Sequence, residues 1–156
     1  MQASAETRAA RTAAQELRFW MSAPVITVQL DSPVSEALAL MHEHSVRRLP
    51  VVNTAGELRG IITAGDTRGA DVMRVAGTGL VDIADALRHT RVSEVMTERP
   101  LVVTPVTTLR EAALLMLDYK VGGLPVIDDK EQVVGIVTES DLFEALVCYL
   151  DSAAGG

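Results

Sequence analysis

Two short stretches of the chain carry residue types that could hold the polar groups of a ligand. Thr63-Ala64-Gly65-Asp66 and Thr138-Glu139-Ser140-Asp141 each follow an apolar, β-branched run. A carboxylate at the start of a helix can accept two hydrogen bonds from a vicinal diol, and charge-assisted bonds of this kind are the strong ones. The threonine three residues earlier adds a hydroxyl, and the helix after it offers unpaired N–H groups to an anion. The same Thr-x-x-Asp pattern is also that of a capping box, and either copy alone reads better as a cap. Arg47 and Arg48 stand just before Leu49-Pro50-Val51. Taken one at a time, they read as two solvated arginines flanking a strand. His42 and His44 are two residues apart, on different helical faces, so they make no metal pair. Cys148 lies in the apolar run Leu146–Leu150 with no histidine nearby, which suits a small core or interface residue better than a nucleophile. The sequence has no Walker loop, nucleophile elbow or metal-ligand spacing, and nothing in it predicts an enzyme.

Composition sets the frame for these residues. The chain has 156 residues, 48% of them hydrophobic and 22% charged, as in a globular protein rather than a disordered one. Only 3% are aromatic, so aliphatic side chains must fill the core. Fourteen basic against 21 acidic residues give a net charge of −7, which argues against a nucleic-acid groove. One cysteine excludes an internal disulfide and fits a reducing compartment. No run of about 18 apolar residues predicts a membrane span, and the N-terminal stretch lacks the apolar core of a signal peptide. A cytoplasmic location is expected.

The elements that must position the candidate residues emerge when the sequence is slid against itself by 75 residues. Met21–Asp66 then aligns with Met96–Asp141 without a gap, and 14 of the 46 positions are identical, among them Met21, Leu49, Pro50, Val51, Gly60, Ile61, Thr63 and Asp66. The chain therefore contains two copies of one unit. Each copy predicts a strand (Val25–Val28; Leu101–Thr104), then a helix with apolar residues at i, i+3, i+4 and i+7 (Val34, Ala37, Leu38, Met41; Leu109, Ala112, Ala113, Met116). Ser32-Pro33 and Thr107 are the expected caps. A second strand (Leu49–Val52; Leu124–Ile127), a polar turn and a third strand (Leu58–Thr63; Val133–Thr138) predict an antiparallel hairpin. A second helix comes after Thr63 and after Thr138. The expected fold is α+β: two β-α-β-β-α units packed as a pseudo-twofold pair, plus an N-terminal helix. The expected boundaries are 1–20 for that helix, 21–79 and 96–150 for the units, 80–95 for a linker helix, and 151–156 for a frayed tail.

The repeated motifs resemble those of a known family. Met21, Val46-Arg47-Arg48-Leu49-Pro50-Val51 and Gly60-Ile61-Ile62-Thr63-Ala64-Gly65-Asp66 return as Met96, Val121-Gly122-Gly123-Leu124-Pro125-Val126 and Gly135-Ile136-Val137-Thr138-Glu139-Ser140-Asp141. The pair is similar to a tandem CBS-domain pair, or Bateman module, over about 130 residues. The resemblance implies a regulatory module that binds AMP, ADP or ATP, with or without magnesium, in clefts between the units. S-adenosylmethionine and NAD-type ligands also occur in the family. It assigns ribose to Asp66 and Asp141 and places Thr63 and Thr138 within reach of it. Adenine would lie near Val25, Ile26 and Thr27, and near Pro100, Leu101 and Val102; these residues read equally as plain core strands. It implies that Arg47 and Arg48 serve the Asp141 site as phosphate contacts, while the Asp66 site faces Gly122 and Gly123 with help from Lys120. A homodimer is implied, with an unidentified protein partner, no tightly bound cofactor, no nucleic acid and no membrane. Family members often have a basic residue just before the motif Asp. Here that position is Gly65 or Ser140, which favours the alternative, a ligand-free dimerisation adaptor.

Overall fold

The structure is a computed structural model, and it describes residues 15–68 and 83–155. The chain divides into two compact units that are discontinuous in sequence. One comprises Val25–Pro100 with Glu131–Val133; the other comprises Met1–Pro24, Leu101–Lys130 and Val134–Gly156.

In the first of these units, β1 (Val28–Gln29) is followed by α1 (Val34–Glu43), β2 (Arg48–Val52) and β3 (Leu58–Thr63). Helix α2 (Ile83–His89), the short α3 (Val92–Val95) and β4 (Thr97–Glu98) complete it. The sheet order is β1-β2-β3-β4, with β1 parallel to β2 and the remaining pairs antiparallel. The predicted hairpin is thus present, with Arg48 opposite Thr63 and Pro50 opposite Ile61. Ala37 and Met41 of α1 pack with Leu49, Val51 and Ile62 in the core. Burying each large aliphatic side chain stabilises the fold by about 1.5–3 kcal/mol.

The other unit repeats this plan. It has α4 (Leu109–Tyr119), a two-stranded sheet of β5 (Gly123–Ile127) and β6 (Val133–Thr138), and α5 (Glu139–Ala154). Its core joins Ala112 and Met116 of α4 to Leu124, Val126 and Val137, and Leu17 packs among them. Among the described residues, no helix is long and apolar enough to cross a membrane.

Several expectations change. The first strand of each copy is shorter than predicted: only Val28–Gln29 in one, and a single parallel bridge, Val103 to Val126, in the other. The geometry of the Leu-Pro-Val segment gives the reason. Val103 N–H donates to the Pro125 carbonyl, and Ile127 N–H donates to the Val103 carbonyl. The same edge of Pro125 has no N–H, so the ladder stops before Leu101. Pro50 stands at the matching place beside β1. The cap of α4 is Thr108 rather than Thr107: its hydroxyl accepts from Glu111 N–H, while the Glu111 carboxylate accepts from Thr108. Thr107 instead accepts from Thr104 N–H and closes the preceding turn. The expected tail is helical as far as Ala154, since Ser and Ala continue α5 and Ser152 donates to the Cys148 carbonyl. The predicted N-terminal helix falls mostly outside the described residues; within them, Leu17–Phe19 forms one 3-10 turn. Trp20 is buried and Phe19 is exposed. After Thr63 the described chain turns through Ala64–Arg68, and the rest of the predicted second helix of that copy lies outside the described residues.

The segment that opens each sequence copy packs on the third strand of the other copy. Ser22 pairs with Ile136, and Thr97 pairs with Ile61. A methyl on Gly135 would lie 2.7 Å from Met21 Sδ and 3.1 Å from the Ser22 carbonyl oxygen. One on Gly60 would lie 2.6 Å from Met96 Sδ and 2.7 Å from the Thr97 carbonyl oxygen. Gly135→Ala is therefore expected to lower stability by about 1–3 kcal/mol in urea denaturation, through overpacking. Adding Met21→Ala should recover part of that loss, because the flexible thioether is the main obstruction. Met96→Ala should recover less of the loss caused by Gly60→Ala, since the Thr97 backbone remains in the way.

Candidate functional site

Both Thr-x-x-Asp stretches form the same small structure. At the end of β3, Asp66 Oδ2 accepts from Thr63 N–H at 2.8 Å and from Thr63 Oγ1–H at 3.0 Å. At the end of β6, Asp141 Oδ2 accepts from Thr138 N–H at 2.7 Å and from Thr138 Oγ1–H at 3.2 Å. One carboxylate oxygen is committed in each case, and Oδ1 is the oxygen left to receive a diol. Both copies therefore form the capping arrangement, one of the two readings the sequence offered. The four residues involved are half-buried.

The two copies diverge beyond the threonine. Thr138 and Asp141 close a capping box on the 16-residue α5. Ala64–Arg68 is a turn, held by Thr67 Oγ1–H donating to the Ala64 carbonyl. Burial raises the carboxyl of Asp141 above the ordinary aspartate value, against the lowering effect of its bonds to Thr138. Its ionised form is thus held at some cost in stability, as at many functional sites.

Topology brings further predicted residues to the same sheet end. In one unit, Arg48 faces Thr63 across the β2–β3 ladder, and the Arg47 carbonyl accepts from Ala64 N–H at 2.7 Å. Because β1 runs parallel to β2, Val25, Ile26 and Thr27 lead into the sheet at this end too. In the other unit, the Gly122 carbonyl accepts from Glu139 N–H at 3.2 Å. Leu101 and Val102 precede the Val103–Val126 bridge at the corresponding end, with Leu101 packed on the core and Val102 partly exposed. Lys120 is the exposed, left-handed C-cap of α4, two residues before Gly122. Pro100 falls at the boundary between the units.

Motif spacing alone missed one signal in the repeat. The proline of each Leu-Pro-Val segment ends the parallel ladder, so residues 25–27 and 101–102 lie outside it. Their backbone groups, not only their side chains, are the features that an adenine edge could use. The carbonyls of Arg47 and Gly122, each fixing the turn after the third strand, carry no side-chain signature and are legible only in three dimensions. Among the described residues, no group of His, Cys, Asp and Glu could hold a metal ion.

Comparison with known proteins gives the same answer at two levels. The CBS domain family matches residues 14–72 and 92–148. A CBS domain-containing protein of Dictyostelium discoideum is 38% identical over 131 residues, covering 84% of this chain and 90% of that protein. An inosine-5'-monophosphate dehydrogenase of Korarchaeum cryptofilum is 35% identical over 119 residues, covering 76% of this chain but 22% of the enzyme. Among solved structures, CBSX2 of Arabidopsis thaliana in complex with AMP matches with a TM-score of 0.71 at 25% identity, covering 86% of this chain and 97% of that one. A CBS domain pair in complex with 5'-methylthioadenosine and S-adenosyl-L-methionine matches with a TM-score of 0.68 at 29% identity, covering 85% and 95%.

The raised carboxyl of Asp141 sets a pH dependence with a definite sign. A group raised in the folded state stabilises it below the ordinary carboxylate range, and this contribution is lost as pH rises through the raised value. Asp141→Asn keeps an acceptor for Thr138 N–H and removes the ionisation. The variant should be as stable as the parent, or more stable, at pH 7. Urea denaturation of both proteins at pH 7 and pH 4 should show the balance moving toward the parent on acidification.

Proposed function

Because this chain belongs to the CBS domain family, as a tandem pair of its units, we propose that it is a regulatory module whose signal is an adenosine-containing ligand, with AMP, ADP or ATP as the first candidates. The observation that carries this reading is the Thr63–Asp66 and Thr138–Asp141 geometry. In each, one carboxylate oxygen holds the turn, which leaves its twin for a ribose diol. The AMP and S-adenosylmethionine complexes of the similar structures support it. We assign ribose to Asp66 and Asp141 with Thr63 and Thr138, and the base to the backbone of residues 25–27 and 100–102. Phosphate falls to Arg47, Arg48 and Lys120. The chain has no role in covalent chemistry on this reading: ligand binding shifts the population of two arrangements by its differential affinity for them. A protein partner reads that shift, and the working form is a homodimer built on the exposed outer face of α5.

A thermal-shift panel with AMP, ADP, ATP with and without magnesium, NAD and S-adenosylmethionine tests the reading. A ligand at about 100 times its Kd stabilises by about 2.7 kcal/mol, an easily visible rise in midpoint. Asp141→Asn should reduce that rise while leaving the unliganded midpoint intact. Arg47→Ala with Arg48→Ala should weaken AMP far more than adenosine. A ligand-free protein that responds to none of the panel would leave the dimerisation adaptor as the better account.

A further inference from the structure

A groove of about 550 Å³ opens between α4 and α5, with Trp20, Ala113, Leu142, Ala145 and Tyr149 in its lining and Gln15 among them. Gln15 is also where the described chain begins. We propose that this groove is the seat of the chain's own N-terminus: residues 1–14 dock in it as a helix, through a face made of Ala9, Ala10, Ala13 and Ala14.

Backbone contacts fix where that segment enters. Leu109 N–H donates to the Gln15 carbonyl at 2.7 Å, and Leu17 N–H donates to the Thr107 carbonyl at 2.8 Å. Between them, Glu16 pairs with Thr108 as an antiparallel bridge. Leu17 is buried in the core of the same unit. Gln15 is thereby held beside the first turn of α4, at the groove, and the chain before it starts from there. As a helix, residues 1–14 would rise about 21 Å, against about 24 Å for α5. The segment is long enough to follow the groove along α5. Direct attachment gives it an effective concentration on the order of millimolar, so it outcompetes a free partner in dilute solution.

The lining decides what the groove accepts. Ala113 of α4 and Ala145 of α5 are small side chains on its two walls. Small residues on neighbouring helices admit a third helix at the short end of the usual separation of about 8–10 Å between axes, provided its own contact face is small. Residues 9, 10, 13 and 14 supply such a face: at i, i+1, i+4 and i+5 they fall on one side of a helix, and all four are alanine. The exposed stripe of α5 from a second copy, with Phe143, Leu146 and Leu150, is too bulky for that approach. Charge points the same way. The charged residues of α5 are Glu139, Asp141, Glu144 and Asp151, all acidic. Residues 1–14 carry Arg8 and Arg11 against Glu6, so the segment brings net positive charge to an acidic helix.

A helix this short is marginal in isolation, so amide protection within residues 1–14 reports docking. Hydrogen–deuterium exchange read by mass spectrometry on the full chain measures it, and acrylamide quenching of Trp20, the single tryptophan, reads the groove. Amides of the segment should exchange at least about tenfold more slowly than those of an unstructured peptide. Ala13→Glu places a carboxylate on the docking face while keeping a good helix former. It should remove the protection and make Trp20 easier to quench. Ala113→Leu fills the groove from the α4 side and should also remove the protection. Ala13 precedes the described residues of both cores, so the test stands on Ala13→Glu if Ala113→Leu perturbs folding. Exchange at the unstructured rate in the parent overturns the docking. Protection that survives Ala13→Glu overturns it equally, because the helix then forms without the groove. Protection that is lost on dilution assigns the groove to a second copy and overturns the intramolecular seat.

Discussion

Each of the two units closes through a thioether lying on a glycine. Met21 Sδ rests over Gly135 and Met96 Sδ over Gly60, each where a methyl group would leave too little room. The contact does more than fill space. It lets the Ser22 and Thr97 backbones reach the third strand of the other sequence copy and add to its sheet. Each structural unit therefore takes its opening segment from the other copy, and a single repeat cannot complete its own sheet. This is how a repeat too short to hold a core by itself becomes stable. Methionine suits the task because an unbranched, polarisable side chain adapts to the flat surface that glycine presents.

With the sheets closed in this way, the third strands end in fixed places, and the carboxylates just beyond them hold the turns that follow. Asp66 and Asp141 each use one oxygen to hold the turn after the strand. A capping interaction stabilises a helix end by about 1 kcal/mol, and at Asp141 burial of the ionised carboxyl works against that gain. A carboxyl raised by partial burial is one arrangement found at functional sites. The Leu-Pro-Val prolines shape the backbone beside it. By stopping the parallel ladder, they leave the backbone of residues 25–27 and 101–102 outside it, beside the threonine and aspartate of each copy.

The repeat is symmetric in its scaffold and asymmetric in its equipment. Ser45 and Lys120 both take the left-handed conformation after the first helix of their copies, and Gly56 and Glu131 both take it in the turn before the third strand. These positions keep their backbone geometry while the residue changes, so geometry is the property held constant. Arg47 and Arg48 against Gly122 and Gly123 change the charge at the site. After Thr63 the described chain makes the turn Ala64–Arg68, where after Thr138 it enters α5 directly.

The sequence alone determined the repeat, the hairpin of Leu49–Val52 with Leu58–Thr63, and the pairing of each threonine with its aspartate. These features depend on contacts between near neighbours, so periodicity and motif spacing report them directly. It also identified the family, because two motif copies in register are far more specific than one. Tertiary structure decided the rest. The length of β1 depends on whether the strand beside it can donate, and Pro50 and Pro125 cannot. The cap of α4 is the exception: Thr108 and Glu111 form a local capping box that motif spacing carries, although Thr107 is the expected cap. Which copy each opening segment joins depends on Met21 and Met96 meeting glycines more than a hundred residues away in one case and 36 in the other. Which oxygen of each carboxylate holds the threonine is likewise something no spacing in a sequence records.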